Sequence, residues 1–392
     1  MRSRLFAPLA LAAAVALAAG CDARPLNANA NDASAGGGGG LGGLAGAGGG
    51  TFTPTRKVDM LFVIDDSSET VRLQQNLLRN FPTLMTSLRN APSGLPDLRI
   101  AVISSDLGAG DGSIAGCDST GGKNGIFQYT ARGTCAATGL APGATYIADT
   151  GIVRNYTGNL EDVFACIAEL GESGCGLEHQ LAAIARALGA DGQPPPAENQ
   201  GFLRPDAYLF VVVVTNEDDC SAPAGSTLYD TTQTTLSSTL GPPSNFRCNE
   251  FGHLCNGAKP PRLAPNGSVT DAVTLDGCVS AEGDGLLIPV ANLVGQLRTL
   301  KRFPDEQIVV SAIAGPTAPY TIKWRTAAIA DTGPWPGMAH SCTASDGSVA
   351  DPAVRISQWV QSFGANGQSL SACLDNFAPA ATRLGELLNR AP

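Results

Sequence analysis

The sequence is poor in charged residues, and especially in positive ones. Charged residues make up 15% of the 392-residue chain, and 25 lysines and arginines stand against 35 aspartates and glutamates, giving a net charge of −10. Globular proteins usually carry about a quarter charged residues. No basic run is present. Because proteins that grip nucleic acids neutralise phosphates with clustered Lys and Arg, the composition argues against nucleic-acid binding.

The chain also lacks the usual signatures of catalysis and of zinc binding. Its three histidines, His179, His253 and His340, are scattered along the sequence, which favours core or surface roles. There is no Gly-x-Ser-x-Gly elbow and no His-Glu-x-x-His motif, so no hydrolase template is supported. No two cysteines form a Cys-x-x-Cys pair, which argues against a zinc site. We therefore expect a protein that is not an enzyme.

Residues 1–20 have the pattern of a secretory signal peptide. Arg2 and Arg4 precede a short apolar stretch that is followed by Gly20 and Cys21. The tetrapeptide Ala-Ala-Gly-Cys that ends at Cys21 resembles a bacterial lipobox, which implies that this cysteine is acylated and becomes the mature N-terminus. The alternative is a plain signal peptide followed by a cysteine with no such role.

Residues 21–56 have the composition of a tether. Of the 15 residues from 36 to 50, 11 are glycine. Such a segment cannot bury a core and behaves as a flexible coil. With Cys21 acylated, the tether would hold a globular head off a membrane surface. We therefore expect a protein of the cell envelope, lipid-anchored to a membrane and facing the periplasm or the exterior.

The remaining cysteines predict a disulfide framework. An even number in an exported chain indicates disulfide pairing, here five bridges. Short loops favour the pairs Cys117–Cys135, Cys166–Cys175 and Cys342–Cys373, and the other pairings stay open. The ten cysteines are Cys117, Cys135, Cys166, Cys175, Cys220, Cys248, Cys255, Cys278, Cys342 and Cys373.

Apolar runs alternate with segments of helical periodicity along residues 57–392. The predicted strands cover 58–65, 98–104, 208–215, 308–314 and 369–373. The predicted helices cover 71–88 with a kink or a break at Pro82, 160–167 after a cap at Asn159, 177–188, 286–302, 353–363 and a last segment that contains Phe377 and Leu384. This alternation predicts one α/β domain with a doubly wound, mostly parallel sheet. Loop-rich insertions at about 106–158, 220–284 and 316–352 interrupt the domain and would be braced by the disulfides.

Acidic and hydroxyl side chains follow two of the predicted strands. The strand at 58–65 leads into Asp65-Asp66-Ser67-Ser68-Glu69, and the strand at 208–215 leads into Asn216-Glu217-Asp218-Asp219. In an open α/β sheet, ligands bind beyond the carboxyl ends of the strands. Carboxylate and hydroxyl oxygens are the ligands that hard cations such as Mg²⁺ and Ca²⁺ prefer.

These stretches resemble a known family. LFVIDDSSE resembles the first metal-binding loop of a von Willebrand factor A-type (VWA) domain, which has the pattern Asp-x-Ser-x-Ser after a buried strand. VVVVTNEDD resembles the third loop, where the strand ends in Thr-Asp. More narrowly, residues 57–392 resemble VWA-containing lipoproteins of myxobacteria and relatives, whose heads share stretches like QQNLLRNFP, SGCGLEHQL, TNEDDCS and SLSACLDNF.

The resemblance implies a site for Mg²⁺ or Ca²⁺. Asp65 and Ser67 match the family pattern, whereas Glu69 stands at the place of its second serine and Asn216 at the place of the third-loop aspartate. The formal charge of the site stays at −2, because one acid has moved from the third loop to the first. Ser173 is the second-loop candidate by its location. A secondary acidic loop surrounds this site: Asp66, Glu217, Asp218 and Asp219.

By this resemblance, the protein would bind a protein or glycan partner. The cation would keep one coordination position for an acidic side chain of the partner. One alternative is a metal-free module of structure or assembly that binds through its insertions. In that case residues 65–69 merely end a strand and cap a helix, and residues 217–219 form a solvated loop. A second alternative is an exported metal-dependent enzyme, for which the sequence shows no nucleophile or base.

Overall fold

The computed structural model of the protein describes residues 56–90, 94–110, 112–114, 116–117, 121–327, 333–377 and 386. The predictions for the signal peptide, for acylated Cys21 and for the tether up to residue 55 lie outside the described residues. Nearly all of the last predicted helix also lies outside them.

The strands and helices of the described residues are numbered in chain order. The strands are β1 Lys57–Ile64, β2 Asp97–Ser104, β3 Ile147–Asp149, β4 Tyr208–Val214, β5 His253–Cys255, β6 Ala272–Leu275, β7 Cys278–Ser280, β8 Ile308–Ala314, β9 Tyr320–Arg325, β10 Trp335–Ala339, β11 Cys342–Thr343, β12 Val349–Ala350 and β13 Gly367–Ser371. The α-helices are α1 Val71–Arg89, α2 Leu160–Ala168, α3 Gln180–Leu188, α4 Phe246–Gly252, α5 Val290–Arg298, α6 Pro304–Gln307 and α7 Val354–Gln361.

A six-stranded sheet with the order β13-β8-β4-β1-β2-β3 forms the centre of the fold. Its strands run parallel except β3, which pairs antiparallel with β2 at one edge. Every residue of β4 and β8 is buried. Such continuous apolar strands are what a parallel sheet requires when both of its faces are covered. The five predicted strands are therefore confirmed, with ends that differ by up to two residues.

Helices cover both faces of this sheet. On one face, Phe62 of β1 packs against Phe81 of α1 and Phe164 of α2, with ring centroids 5.9 and 4.8 Å away. On the other face, Leu61 and Val63 of β1 share a buried cluster with residues of α3, α5 and α7. The side chains of β1 therefore alternate between two cores, as the period of a strand demands. The fold is a mixed α/β fold with a mostly parallel central sheet, which is compatible with a Rossmann-like fold.

Two local expectations were wrong: a break of the helix at Pro82, and an insertion at 316–352 without strands. Helix α1 continues through Pro82 without a break, because both sides of this position, at Phe81 and Met85, are buried in the core. The energy of that packing outweighs the single backbone hydrogen bond that proline removes. The insertion at 316–352 was expected to be loop-like, but it contains β9 to β12. Strand β9 buries Tyr320, Ile322 and Trp324, while Thr321 is half-buried and Lys323 is exposed, which is a short alternating pattern.

Five disulfides brace the domain. They are Cys117–Cys175, Cys135–Cys166, Cys220–Cys248, Cys255–Cys278 and Cys342–Cys373.

Among the favoured pairs, Cys342–Cys373 is confirmed, and the other two are wrong because their four cysteines exchange partners. The backbone N–H of Arg132 donates to the carbonyl of Cys166 at 3.0 Å, which brings the segment around Cys135 onto α2. Nearness in sequence therefore fails as a guide here.

The number of disulfides points to an oxidising compartment, either periplasmic or extracellular. Within the part of the chain that the structure describes, no helix combines the length and the apolar character needed to cross a membrane.

Candidate functional site

The carboxyl ends of β1, β2, β4 and β8 form one edge of the sheet, which we call the crest. Asp65 follows β1 at this edge, and its side chain is buried. Its Oδ1 accepts a hydrogen bond from the backbone N–H of Ser67 at 2.9 Å, and its Oδ2 accepts one from Oγ1 of Thr215 at 2.6 Å. These two bonds join the loop after β1 to the end of β4. Burial raises the pKa of Asp65, although the bonds from Thr215 and Ser67 oppose this shift.

Ser67 is buried beside Asp65, and its hydroxyl has no hydrogen-bond partner among the described residues. The hydroxyl nevertheless lies close enough to the carboxyl groups of Asp65 and Glu178 to lower the pKa of both. A buried hydroxyl without a partner is unusual in native proteins. The Ser67 Oγ therefore remains available to a ligand between these two acids.

Glu178 is a site residue that the sequence analysis missed. It precedes α3, it is buried, and its Oε1 makes no hydrogen bond within the described residues. Burial raises the pKa of Glu178 well above its usual value, and the negative charges of Glu217 and Asp65 raise it further. Only the fold brings Glu178 to Asp65, so no spacing in the sequence signals it.

Glu217 and Asp351 complete the acidic group. Burial raises the pKa of Glu217 to about 8, with a further contribution from Asp351, while a hydrogen bond from Nδ2 of Asn245 at 3.0 Å opposes the shift. Glu178, Glu217 and Asp351 line a cavity of about 10 Å³. This volume is near the smallest that holds one water molecule. We call Asp65, Ser67, Glu178, Asn216, Glu217 and Asp351 together the crest cluster.

Asn216 and Glu69 differ in their exposure at the crest. Asn216 is buried, and its Oδ1 has no hydrogen-bond partner among the described residues, while its backbone carbonyl accepts from the N–H of Asp351 at 2.8 Å. Glu69 is exposed, and its φ of 69° lies in the left-handed region that a side chain disfavours. The charge of Glu69 raises the pKa of Asp351, after the larger effect of burial. Glu69 therefore lies at the rim of the crest cluster, close to Asp351.

Ser173 is exposed in the loop before Cys175. The next residue, Gly174, donates its N–H to the carbonyl of Asp66 at 2.7 Å. A Cβ at Gly174 would lie 2.3 Å from Oδ1 of Asp66, so only glycine fits where these two loops meet. The structure therefore brings the loop of Ser173 against the loop of Asp65, while Glu178 of the same segment reaches the buried acids.

Asp66 is bound to the protein itself. Its Oδ1 accepts from the hydroxyl of Ser104 at 2.6 Å, and its Oδ2 pairs with Nζ of Lys123. Ser104 is the last residue of β2, and Lys123 belongs to the insertion at 106–158. Asp66 thus joins the first loop to the neighbouring strand and to this insertion.

Asp218 and Asp219 are buried, so the interpretation as a solvated loop is wrong for them. Asp218 accepts from the backbone N–H groups of Arg355 and Ile356 at 2.8 and 3.1 Å, and therefore caps α7. Burial alone would raise the pKa of Asp218, but the hydrogen bond from His253 and its charge lower it. Asp219 accepts from the N–H of Leu181 at 2.9 Å at the start of α3.

Arg355 holds Asp219 from the opposite side. Its Nη2 lies 2.9 Å from Oδ2 of Asp219, and neither side chain has any exposure. Arg355 also pairs with Glu282, and its Nη2 donates to the carbonyl of Ile288 at 2.9 Å. Asp218 and Asp219 thus make bonds within the fold and are not free to bind a ligand.

Among the described residues, no group of three or more His, Cys, Asp and Glu side chains is arranged to hold a metal ion. A cation at the crest would therefore depend on hydroxyl and amide oxygens as well as on carboxylates. No family model matches the chain, and no curated protein matches it. Any functional assignment consequently has to rest on the geometry of the crest and of its surroundings.

Proposed function

We propose that the protein is a lipid-anchored binding protein of the cell envelope, with a doubly wound VWA-like head that engages a protein or glycan partner at the crest. The helices on both faces of a mostly parallel sheet support the VWA-like assignment. So does the hydrogen bond from Thr215 to Asp65, which joins the two loops that resemble the family. The five disulfides fit an exported head.

We also propose that the crest binds a divalent cation, Mg²⁺ or Ca²⁺. The observation that carries this proposal is a set of three buried oxygen atoms without hydrogen bonds in the described part of the chain: Ser67 Oγ, Glu178 Oε1 and Asn216 Oδ1. Each such group costs about 1–3 kcal/mol when it remains unpaired. A cation would satisfy these oxygens and offset the repulsion between Asp65, Glu178 and Glu217. When bound, it would offer a coordination position to an acidic side chain of the partner.

Calorimetric titration of Mg²⁺, Mn²⁺ and Ca²⁺ tests the site. Because Ser67 Oγ makes no hydrogen bond with the described residues, Ser67→Ala should leave the fold intact while removing one ligand. We expect it to weaken cation binding by about tenfold or more. The neighbouring Ser68 is exposed, so Ser68→Ala is a matched control that should retain the wild-type affinity. Equal affinities of the two variants would exclude Ser67 as a ligand.

A metal-free binding module is the second candidate function. It is favoured by the lack of an arranged metal-binding group among the described residues, and by Asn216 at the place of an aspartate. In this case the insertions carry partner binding. No heat would accompany the titration of any of the three cations, and Asp65→Ala would bind partners as the wild type does. Partner binding would also survive a chelator.

A further inference from the structure

A cavity of about 550 Å³ opens beside the crest cluster. Its walls come from the insertion at 106–158, from the segment before α3, from the insertion at 220–284, from the end of β9 and from the start of β10. The volume is within the range of sites that bind small organic molecules. Asn245 lies in the wall of this cavity and also in the wall of the small acidic cavity, so the two are neighbours.

The walls are largely apolar and are braced covalently. Apolar surface comes from Ile114, Leu177, Leu228, Pro243 and Trp335. Cys117 lines the cavity and is bonded to Cys175, which holds the segment around Ile114 against the segment around Leu177. A preformed wall lowers the entropic cost of binding a ligand. The cavity thus has the build of a site for a rigid apolar group.

The charge at this cavity is opposite to that of the chain as a whole. Of the described residues that line it, two are arginines and none carries a carboxyl group, although the net charge of the chain is −10. The guanidinium of Arg247 is occupied by backbone carbonyls, among them those of Leu228 and Gly241, both at 2.7 Å. Arg325 is exposed, and within the described residues its guanidinium makes no hydrogen bond or ion pair. Its positive charge acts on the carboxyl group of Glu217, where it opposes the larger rise in pKa that burial causes.

We propose that this cavity binds a small organic molecule that combines an apolar body with one anionic group, and that Arg325 pairs with the anionic group. The planar guanidinium donates two parallel hydrogen bonds to a carboxylate. Ser244 and Thr326 also line the cavity and provide hydroxyl groups. The apolar walls would bury the rest of the ligand. This site needs no cation and is separate from the function proposed for the crest.

The test compares 2-naphthoate with its uncharged amide, 2-naphthamide, by calorimetry in the presence of EDTA. We expect the wild-type chain to bind the carboxylate about tenfold or more tightly than the amide. Arg325→Met should remove this preference and leave amide binding unchanged, and Arg325→Lys should retain part of it. Lys323 is exposed on the same strand and does not line the cavity, so Lys323→Met is a matched control.

A variant that fills the cavity tests its location. Ser244 lines the cavity, so Ser244→Phe should abolish binding of both probes while thermal melting shows an intact fold. Three results would each overturn the proposal: no binding of naphthoate to the wild type, an unchanged preference in Arg325→Met, or undiminished binding to Ser244→Phe. Since EDTA is present throughout, a failure of cation binding at the crest would not alter these results.

Discussion

Raising the pH from about 6.5 to about 8 should destabilise the folded protein through the carboxyl group of Glu217. Its usual pKa is 4.5, and burial raises the pKa in the folded state to about 8, with the charge of Asp351 adding to the effect. Between these two values the folded state holds a proton that the unfolded state has lost. The contribution of Glu217 to stability is therefore complete below pH 4.5 and is lost as the pH rises through about 8.

The pH window is chosen so that other shifted groups do not interfere. The pKa of buried His179 falls from 6.5 to about 4, so His179 destabilises the folded state progressively as the pH falls below 6.5. The pKa of Lys301 falls from 10.5 to about 8, mainly through burial. Its titration therefore raises the stability of the folded state only as the pH rises above about 8. Between these limits the crest acids dominate. The pKa of Glu178 is raised in the same direction as that of Glu217.

The size of the effect follows from the width of the window. One proton retained over about 1.5 pH units corresponds to about 2 kcal/mol. Glu217 is half-buried, so solvent screens part of its interactions. The figure is therefore an upper value for the contribution of Glu217 to the change in stability. The assay is urea unfolding with EDTA and with the disulfides intact, repeated at pH values between about 6.5 and 8. The free energy of unfolding of the wild type should fall across this range.

Glu217→Gln should make this dependence less steep, because the amide cannot titrate, while Glu178 keeps its own part of the slope. Glu306 is an exposed residue of α6, so Glu306→Gln is the matched control and should follow the wild type. A wild-type stability that is level or rises across the window would refute the reasoning. So would a Glu217→Gln curve that runs parallel to the wild-type curve.

Two further predictions concern the supports of the site. Arg355→Ala should destabilise the fold by about 3–5 kcal/mol in urea unfolding, because it leaves the buried carboxylate of Asp219 unpaired. Arg298→Ala removes a more exposed pair and should cost less than about 1 kcal/mol; similar losses would contradict the argument. Replacing Cys117 and Cys175 by Ala frees a loop whose ends are 58 residues apart, and should cost about 4 kcal/mol. A change below about 1 kcal/mol would show that this bridge is not a main constraint.

The strands and helices were predictable where the local sequence contains a clear signal, such as an apolar run or a capping residue. Strand β4 has seven consecutive apolar residues, which a sheet covered on both faces requires. Asn159 caps α2 as its side chain predicts, by accepting from the N–H of Asp162 at 2.7 Å. Strand β9 was missed because its alternation lasts only six residues. Local patterns thus determined the layers of the fold but not the content of its insertions.

The crest cluster was predictable only in part, because two of its carboxyl groups come from segments that are distant in the sequence. Asp65 and Asn216 follow predicted strands, so their position at one edge of the sheet follows from topology. Glu178 and Asp351 come from loops whose path depends on the disulfides and on packing. No periodicity places a carboxyl group of one loop against that of another. Glu69 shows the opposite case, since it fits the spacing of a ligand while its side chain is exposed.

The four consecutive residues 216–219, which follow β4, have two different roles. Asp218 and Asp219 cap α7 and α3, and their bonds to Arg355 and to backbone N–H groups fix the path of the chain. Asn216 and Glu217 directly precede them and hold the unpartnered amide oxygen and the carboxyl group with the raised pKa. Polar groups that are unsatisfied in a native protein persist only where the surrounding structure holds them. The bonds of Asp218 and Asp219 therefore hold Asn216 and Glu217 in position for a ligand at the crest.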